Sequence, residues 1–90
     1  MVIECDATKR KKTLEERGID FYDAPLVFNG KHFTAPDERI DYGEPRFITI
    51  GFLRYRVAVI VWTPRKDTRR IISMRYANER EIKRYKKYSG

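Results

Sequence analysis

Permanently cationic side chains set among β-branched residues are the first feature of this sequence with a chemical meaning. Arg69, Arg70 and Arg75 lie in the run Thr68 to Tyr76, and Arg46 opens another run rich in Ile, Phe and Thr. A guanidinium keeps its charge at neutral pH and offers five donors in a planar fork, so an arginine projecting from a rigid strand can grip a phosphate through two bonds. Arg75 is the first candidate for that role. Its alternative is an ion pair with Glu44 or Asp67. Arg46 either converges on the same patch or guards a strand end against aggregation. Breaking an RNA phosphodiester requires a base for the 2′-hydroxyl, an acid for the leaving 5′-oxygen, and cations around the transition state. Glu44 is a candidate base, Lys9 and Arg75 are candidate charge stabilisers, and Tyr76 or Lys9 is a candidate acid. Lys12, Arg69, Ser73 and Tyr76 are candidates for further RNA contacts.

The other reactive residue types are scarce. One cysteine, Cys5, and one histidine, His32, exclude an intramolecular disulfide and a zinc site built from these two residue types. The expected chemistry uses no metal and no cofactor. His32 reads as a surface histidine and Cys5 as a buried thiol. Tyr42, Tyr55 and Trp62 are aromatic enough to stack on bases, although Trp62 sits in an apolar run and reads as core.

Charge points to the same partner. Residues 1–45 carry seven basic and ten acidic side chains, whereas residues 46–90 carry thirteen basic and three acidic, so the net +7 belongs to the second half. Such asymmetry favours a polyanion, because Lys and Arg release condensed counterions from phosphates. The alternative is a solvated surface kept for solubility. No apolar run approaches the roughly twenty residues that span a bilayer, and none resembles a signal peptide, so a cytoplasmic protein without membrane contact is expected.

The elements that position these residues follow from caps and periodicity. Asp6 caps a polar helix that runs to about Arg17 and stops at Gly18. Asp20 caps a second, short helix carrying Phe21, Ala24 and Phe28, with Pro25 near its start. Residues 29–45 are rich in turn signals and leave at most a short strand near Lys31 to Thr34. Arg46 to Leu53, Arg56 to Thr63 and Thr68 to Tyr76 read as an antiparallel meander. Strict alternation in the last strand puts Arg69, Ile71, Ser73 and Arg75 on one face and Arg70, Ile72, Met74 and Tyr76 on the other. Asn78 and Glu81 form a capping-box pattern that opens a last helix, with Ile82 and Tyr85 toward the sheet. The expectation is one α+β domain over residues 1–90: two N-terminal helices, an antiparallel sheet of three to four strands, and a C-terminal helix.

The order Glu4-Cys5-Asp6, Lys9, Gly18-Ile19-Asp20-Phe21, Ala24, Val27-Phe28, Glu44 to Gly51 and Arg70 to Ala77 resembles the BrnT family of bacterial toxins. The segment RIISMRYA with Glu81 and Tyr85 is its most specific part. The resemblance implies a RelE-like ribonuclease fold, RNA cleavage that arrests translation, and neutralisation by a BrnA-type antitoxin with a ribbon-helix-helix DNA-binding domain. Operator DNA is then met only through the antitoxin, and the pair represses its own operon. Lys9, Glu44, Arg46 and Arg75 match recurrent polar positions of the family. This chain departs from the family pattern at Cys5, at Thr13 and at Arg17, which stands where the family often has histidine. Arg17 cannot serve as a base but can bind phosphate. A non-catalytic module that binds nucleic acid or antitoxin is the alternative.

Overall fold

The computed structural model describes residues 1–89. A five-stranded mixed sheet is built from β1 (Val2–Cys5), β2 (His32–Pro36), β3 (Phe47–Leu53), β4 (Arg56–Arg65) and β5 (Thr68–Tyr76), in the order β1-β5-β4-β3-β2. The helices are α1 (Ala7–Arg17), α2 (Ala24–Asn29), entered through a single 3-10 turn at Phe21–Asp23, and α3 (Glu79–Ser89).

The local signals act as their chemistry demands. Asp6 accepts from the Lys9 N–H, and Gly18 ends α1 in the left-handed region at φ 69°, where a side chain is disfavoured. Asp20 accepts from the Tyr22 N–H, and Asn78 and Glu81 exchange backbone and side-chain bonds of 2.9 Å at the start of α3. The short loops at Arg54-Tyr55 and Lys66-Asp67 make β3, β4 and β5 a meander, with Arg54 and Lys66 carrying the positive φ that such turns require.

The sheet corrects the expected antiparallel arrangement of three to four strands. The apolar start of the chain is a fifth strand, pairing parallel to β5 from Val2↔Thr68 to Cys5↔Ile71. Four residues are too few for periodicity to declare a strand. The Cys5 side chain packs against the core, and burial raises its thiol pKa.

The strict alternation expected for β5 is also corrected. Val61 pairs with Ser73 and Trp62 with Ile71, so Ile72 is an extra residue in a β-bulge. The bulge reverses the phase of the strand. Ile71 and Met74, three positions apart, are both fully buried in the same cluster. Arg69, Ile71, Met74 and Tyr76 therefore share one face, and Arg70, Ser73 and Arg75 share the other.

The first face packs Ile19, Phe21, Ala24, Val27 and Phe28 against Leu53, Ala58, Ile60, Trp62, Ile71 and Met74. Gly51 lets α2 approach this face: a Cβ there would lie 3.1 Å from Val27 Cγ1 and from the Lys31 carbonyl. The second face packs Ile50, Val57 and Val59 against Ile82 and Tyr85 of α3. No helix among the described residues is long and apolar enough to cross a membrane.

Candidate functional site

Pairing register arranges the second face in rows. Arg75, Val59, Ile50 and Phe33 form one row from β5 to β2, and Ser73, Val61, Ile48 and Ala35 form the next. Beyond them Arg70 stands opposite Thr63 on one side and Glu4 on the other. The α3 helix covers the apolar rows through Tyr85 and Ile82, and the polar end of the face lies beyond its apolar contacts.

Arginine–carboxylate pairs edge the apolar rows at β5 and populate the polar end. Arg75 donates from Nη1 and Nη2 to Glu81 Oε1 and Oε2, both at 2.7 Å, while its side chain stays 43% exposed. The guanidinium holds Glu81 below the usual carboxylate range, and the carboxylate in turn raises the arginine. Arg46 Nε donates to Glu44 Oε2 at 3.3 Å, and Arg65 Nη2 donates to Glu44 Oε1 at 3.2 Å. Arg46 also stacks over the Tyr42 ring at 4.0 Å. Arg70 lies 3.7 Å from Glu4.

The loop between β2 and β3 flanks this end of the face. The Asp37 N–H donates to the Arg46 carbonyl at 2.8 Å, extending the ladder past the strand ends. The side chain of Asp37 has no exposed area, and Arg39 binds both of its oxygens at 2.7 and 2.8 Å. This pairing lowers the Asp37 pKa to about 2.

Of the residues singled out from the sequence, Glu44, Arg46, Arg75 and Ser73 lie on this face; Glu44 and Arg46 touch each other, and Ser73 and Arg75 stand two strands away on β5. Arg75 finds its partner in Glu81, rather than in Glu44 or Asp67. Lys9, Lys12 and Arg17 lie on α1, which joins the first face beside the Phe21 turn through the two-bond Arg10–Asp20 pair. Lys9 and Lys12 are exposed there, and Arg17 donates to the Met74 carbonyl at 2.9 Å. Arg69 is also on the first face, held over Phe28 and Trp62 at 4.4 and 4.6 Å. Tyr76 shares that side and carries the Arg56 guanidinium 3.6 Å above its ring. The bulge thus separates Arg69 and Tyr76 from Ser73 and Arg75.

His32 Nδ1 lies 2.9 Å from the Gly30 carbonyl and its ring meets Phe28 edge-on, a structural setting. Trp62 is core, its Nε1 donating to Thr49 at 2.8 Å. Tyr55 is 94% exposed at the β3–β4 turn. Sequence reasoning missed Asp37, Arg39, Arg65 and the second role of Glu81. The Asp37-x-Arg39 spacing was a usable signal, since an aspartate can accept from the backbone and side chain of the second residue after it, as Asp37 does here. Nothing in the spacing of Arg75 and Glu81 announced a pair spanning a strand and a helix.

A search of curated proteins returns no match. A family model described as "Ribonuclease toxin, BrnT, of type II toxin-antitoxin system" matches residues 6–81, which takes in α1, the sheet from β2 to β5, and the start of α3 with Glu81. The chain belongs to the BrnT family of ribonuclease toxins of type II toxin-antitoxin systems.

Proposed function

We propose that this toxin cleaves RNA without a metal ion, arrests translation, and is neutralised by a BrnA-type ribbon-helix-helix antitoxin with which it represses its own operon. The observation that carries the catalytic reading is the placement of Arg75, Ser73, Arg46 and Glu44 on the same, partly covered sheet face. In this reading Arg75 and Arg46 hold the scissile phosphate through guanidinium donors not occupied by their carboxylates. Glu44 takes the 2′-hydroxyl proton as the 2′-oxygen–phosphorus bond forms and the bond to the 5′-oxygen breaks. Arg65, half-exposed and at 3.2 Å, is the partner that releases Glu44 for this step. Lys9 and Tyr76 emerge on the other side of the sheet, so solvent supplies the proton to the leaving oxygen. Lys9, Lys12, Arg17 and Arg69 supply the field that draws the polyanion.

Incubation of the purified protein with RNA in EDTA tests this. Cleavage with a 2′,3′-cyclic phosphate end, lost in Arg75→Ala with the fold intact, is the expected result. Salt-sensitive binding without any cut product would favour a non-catalytic module instead.

A further inference from the structure

The loop residue Arg39 has a place in the site that nothing in the strand pattern assigns. Asp37 continues the alternation of Phe33 and Ala35 toward the α3 side, and it holds the Arg39 fork by Nε and Nη2. Arg75 is held in the same manner by Nη1 and Nη2 on Glu81. Each guanidinium therefore retains N–H groups that its carboxylate does not use, and each is orientationally fixed before a ligand arrives.

The two forks stand on the α3 side of the sheet, one on β5 and one just beyond the end of β2. Between the positions of Arg75 and Asp37 runs the row Ser73, Val61, Ile48 and Ala35, and all four residues are only half-buried. Arg39 is near enough for its charge to oppose that of Arg75. Two like charges that act on each other across a half-buried row, each already aimed by a carboxylate, are the chemistry that accepts one anion between them.

We propose that Arg39 and Arg75 form a two-armed clamp for a single RNA phosphodiester lying over the Ser73–Ala35 row, with Asp37 and Glu81 as positioning residues. This rests on the RNA-directed reading above. It adds a phosphate-binding residue from the β2–β3 loop and makes that loop part of the substrate site.

The test uses a fluorescent single-stranded 2′-O-methyl oligoribonucleotide, which cannot be cut through its 2′-oxygen, with binding read by anisotropy at fixed salt. Arg39→Ala and Arg75→Ala are each expected to weaken binding about tenfold, the scale of a lost charge-assisted contact. The double variant is expected to lose less than the product of the two, because both arms hold one phosphate. Arg39→Lys keeps the charge without the fork and is expected to stay weak. The double change Asp37→Asn with Arg39→Ala removes the orphaned carboxylate and keeps the comparison valid if Arg39→Ala folds poorly. Undiminished binding by Arg39→Ala, full recovery in Arg39→Lys, or losses that simply multiply would each overturn the clamp. Loss of the Arg39 effect alone leaves cleavage by the unaltered chain intact, whereas an unaltered chain that neither binds nor cuts RNA overturns the ribonuclease reading and the clamp together.

Discussion

Arg75 and Glu81 meet in a planar pair of two 2.7 Å bonds that ties the last strand to the last helix. Glu81 also accepts from the Asn78 N–H at 2.9 Å, so one carboxylate caps α3 and aims the arginine. The geometry couples helix placement to the presentation of the Arg75 guanidinium, the phosphate-binding group of the proposed mechanism. In that proposal RNA uses the donors Glu81 leaves free or draws Arg75 away from it.

Glu81→Gln retains a capping-box side chain and removes one negative charge beside Arg75. The variant holds the Arg75 fork less firmly and is expected to bind single-stranded RNA about two- to fivefold more weakly and to lose about 0.5–1.5 kcal/mol of stability, the range of one partly exposed charge-assisted bond. Denaturant titration and RNA anisotropy on the same sample check both signs. Tighter RNA binding would show that Glu81 competes with RNA for Arg75 more than it orients it.

Asp37 supplies a pH signature. Its pKa is about 2 in the folded protein against about 3.9 in an unfolded chain, so its contribution is complete above about pH 4 and is lost as pH falls toward 2. Glu81, also lowered, acts in the same direction. Asp37→Asn is therefore expected to be less stable than the unaltered chain at pH 7, with the gap closing between about pH 4 and 2. Urea unfolding at a series of pH values measures this, and a gap independent of pH would contradict it.

The bulge at Ile72 makes neighbouring isoleucines unequal. Ile71 is fully buried among Trp62, Ile60 and Met74, while Ile72 is half-buried and unpaired in the ladder. Ile71→Ala is expected to cost about 2–4 kcal/mol and Ile72→Ala less than about 1.5. Met74→Ala is expected to cost as much as Ile71→Ala, a parity that unbroken alternation forbids.

Much of this architecture was legible from short-range signals. Asp6, Gly18, Asp20, Asn78 and Glu81 mark helix ends by chemistry that acts within four residues, and the three long strands follow from their β-branched and aromatic runs. The parallel β1 was not legible because its pairing with β5 joins residues some sixty-six positions apart and its four residues show no period. The site was half legible. Arg75, Arg46 and Glu44 stood out by type, but one unpaired residue at Ile72 decides which side chains they meet, and a bulge leaves no mark in composition. The basic run Lys9 to Lys12, which reads as a solvated face, hides the Arg10–Asp20 pair for the same reason: its partner lies beyond the helix.

Gly51 tests the packing of α2 independently of the site. Gly51→Ala places a methyl 3.1 Å from His32 Cβ, the Lys31 carbonyl and Val27 Cγ1, so both the strand and the helix must yield. The expected cost is about 1–3 kcal/mol, the scale of an overpacked core. RNA binding per folded molecule should not change, because these atoms lie on the face away from Arg75. A neutral stability change would mean that α2 rides further from the sheet.

Lys9 offers the sharpest contrast between what the sequence suggests and where the chain places the side chain. A catalytic lysine must touch the reacting phosphate, yet Lys9 is an exposed residue of α1, on the side of the sheet opposite Glu44 and Arg46. Its charge still adds to the field seen by an approaching polyanion, and that effect is screened beyond about 10 Å at 0.1 M salt. Lys9→Ala is accordingly expected to raise the apparent KM for RNA by less than about threefold at low salt, with the difference vanishing as salt is raised and kcat unchanged. Arg75→Ala is expected to lower kcat by at least about a hundredfold at every salt concentration, because it removes a contact made to the transition state itself. A loss of kcat in Lys9→Ala that persists at high salt would require α1 to reach the scissile phosphate, and the assignment of chemistry to the α3 side of the sheet would fall.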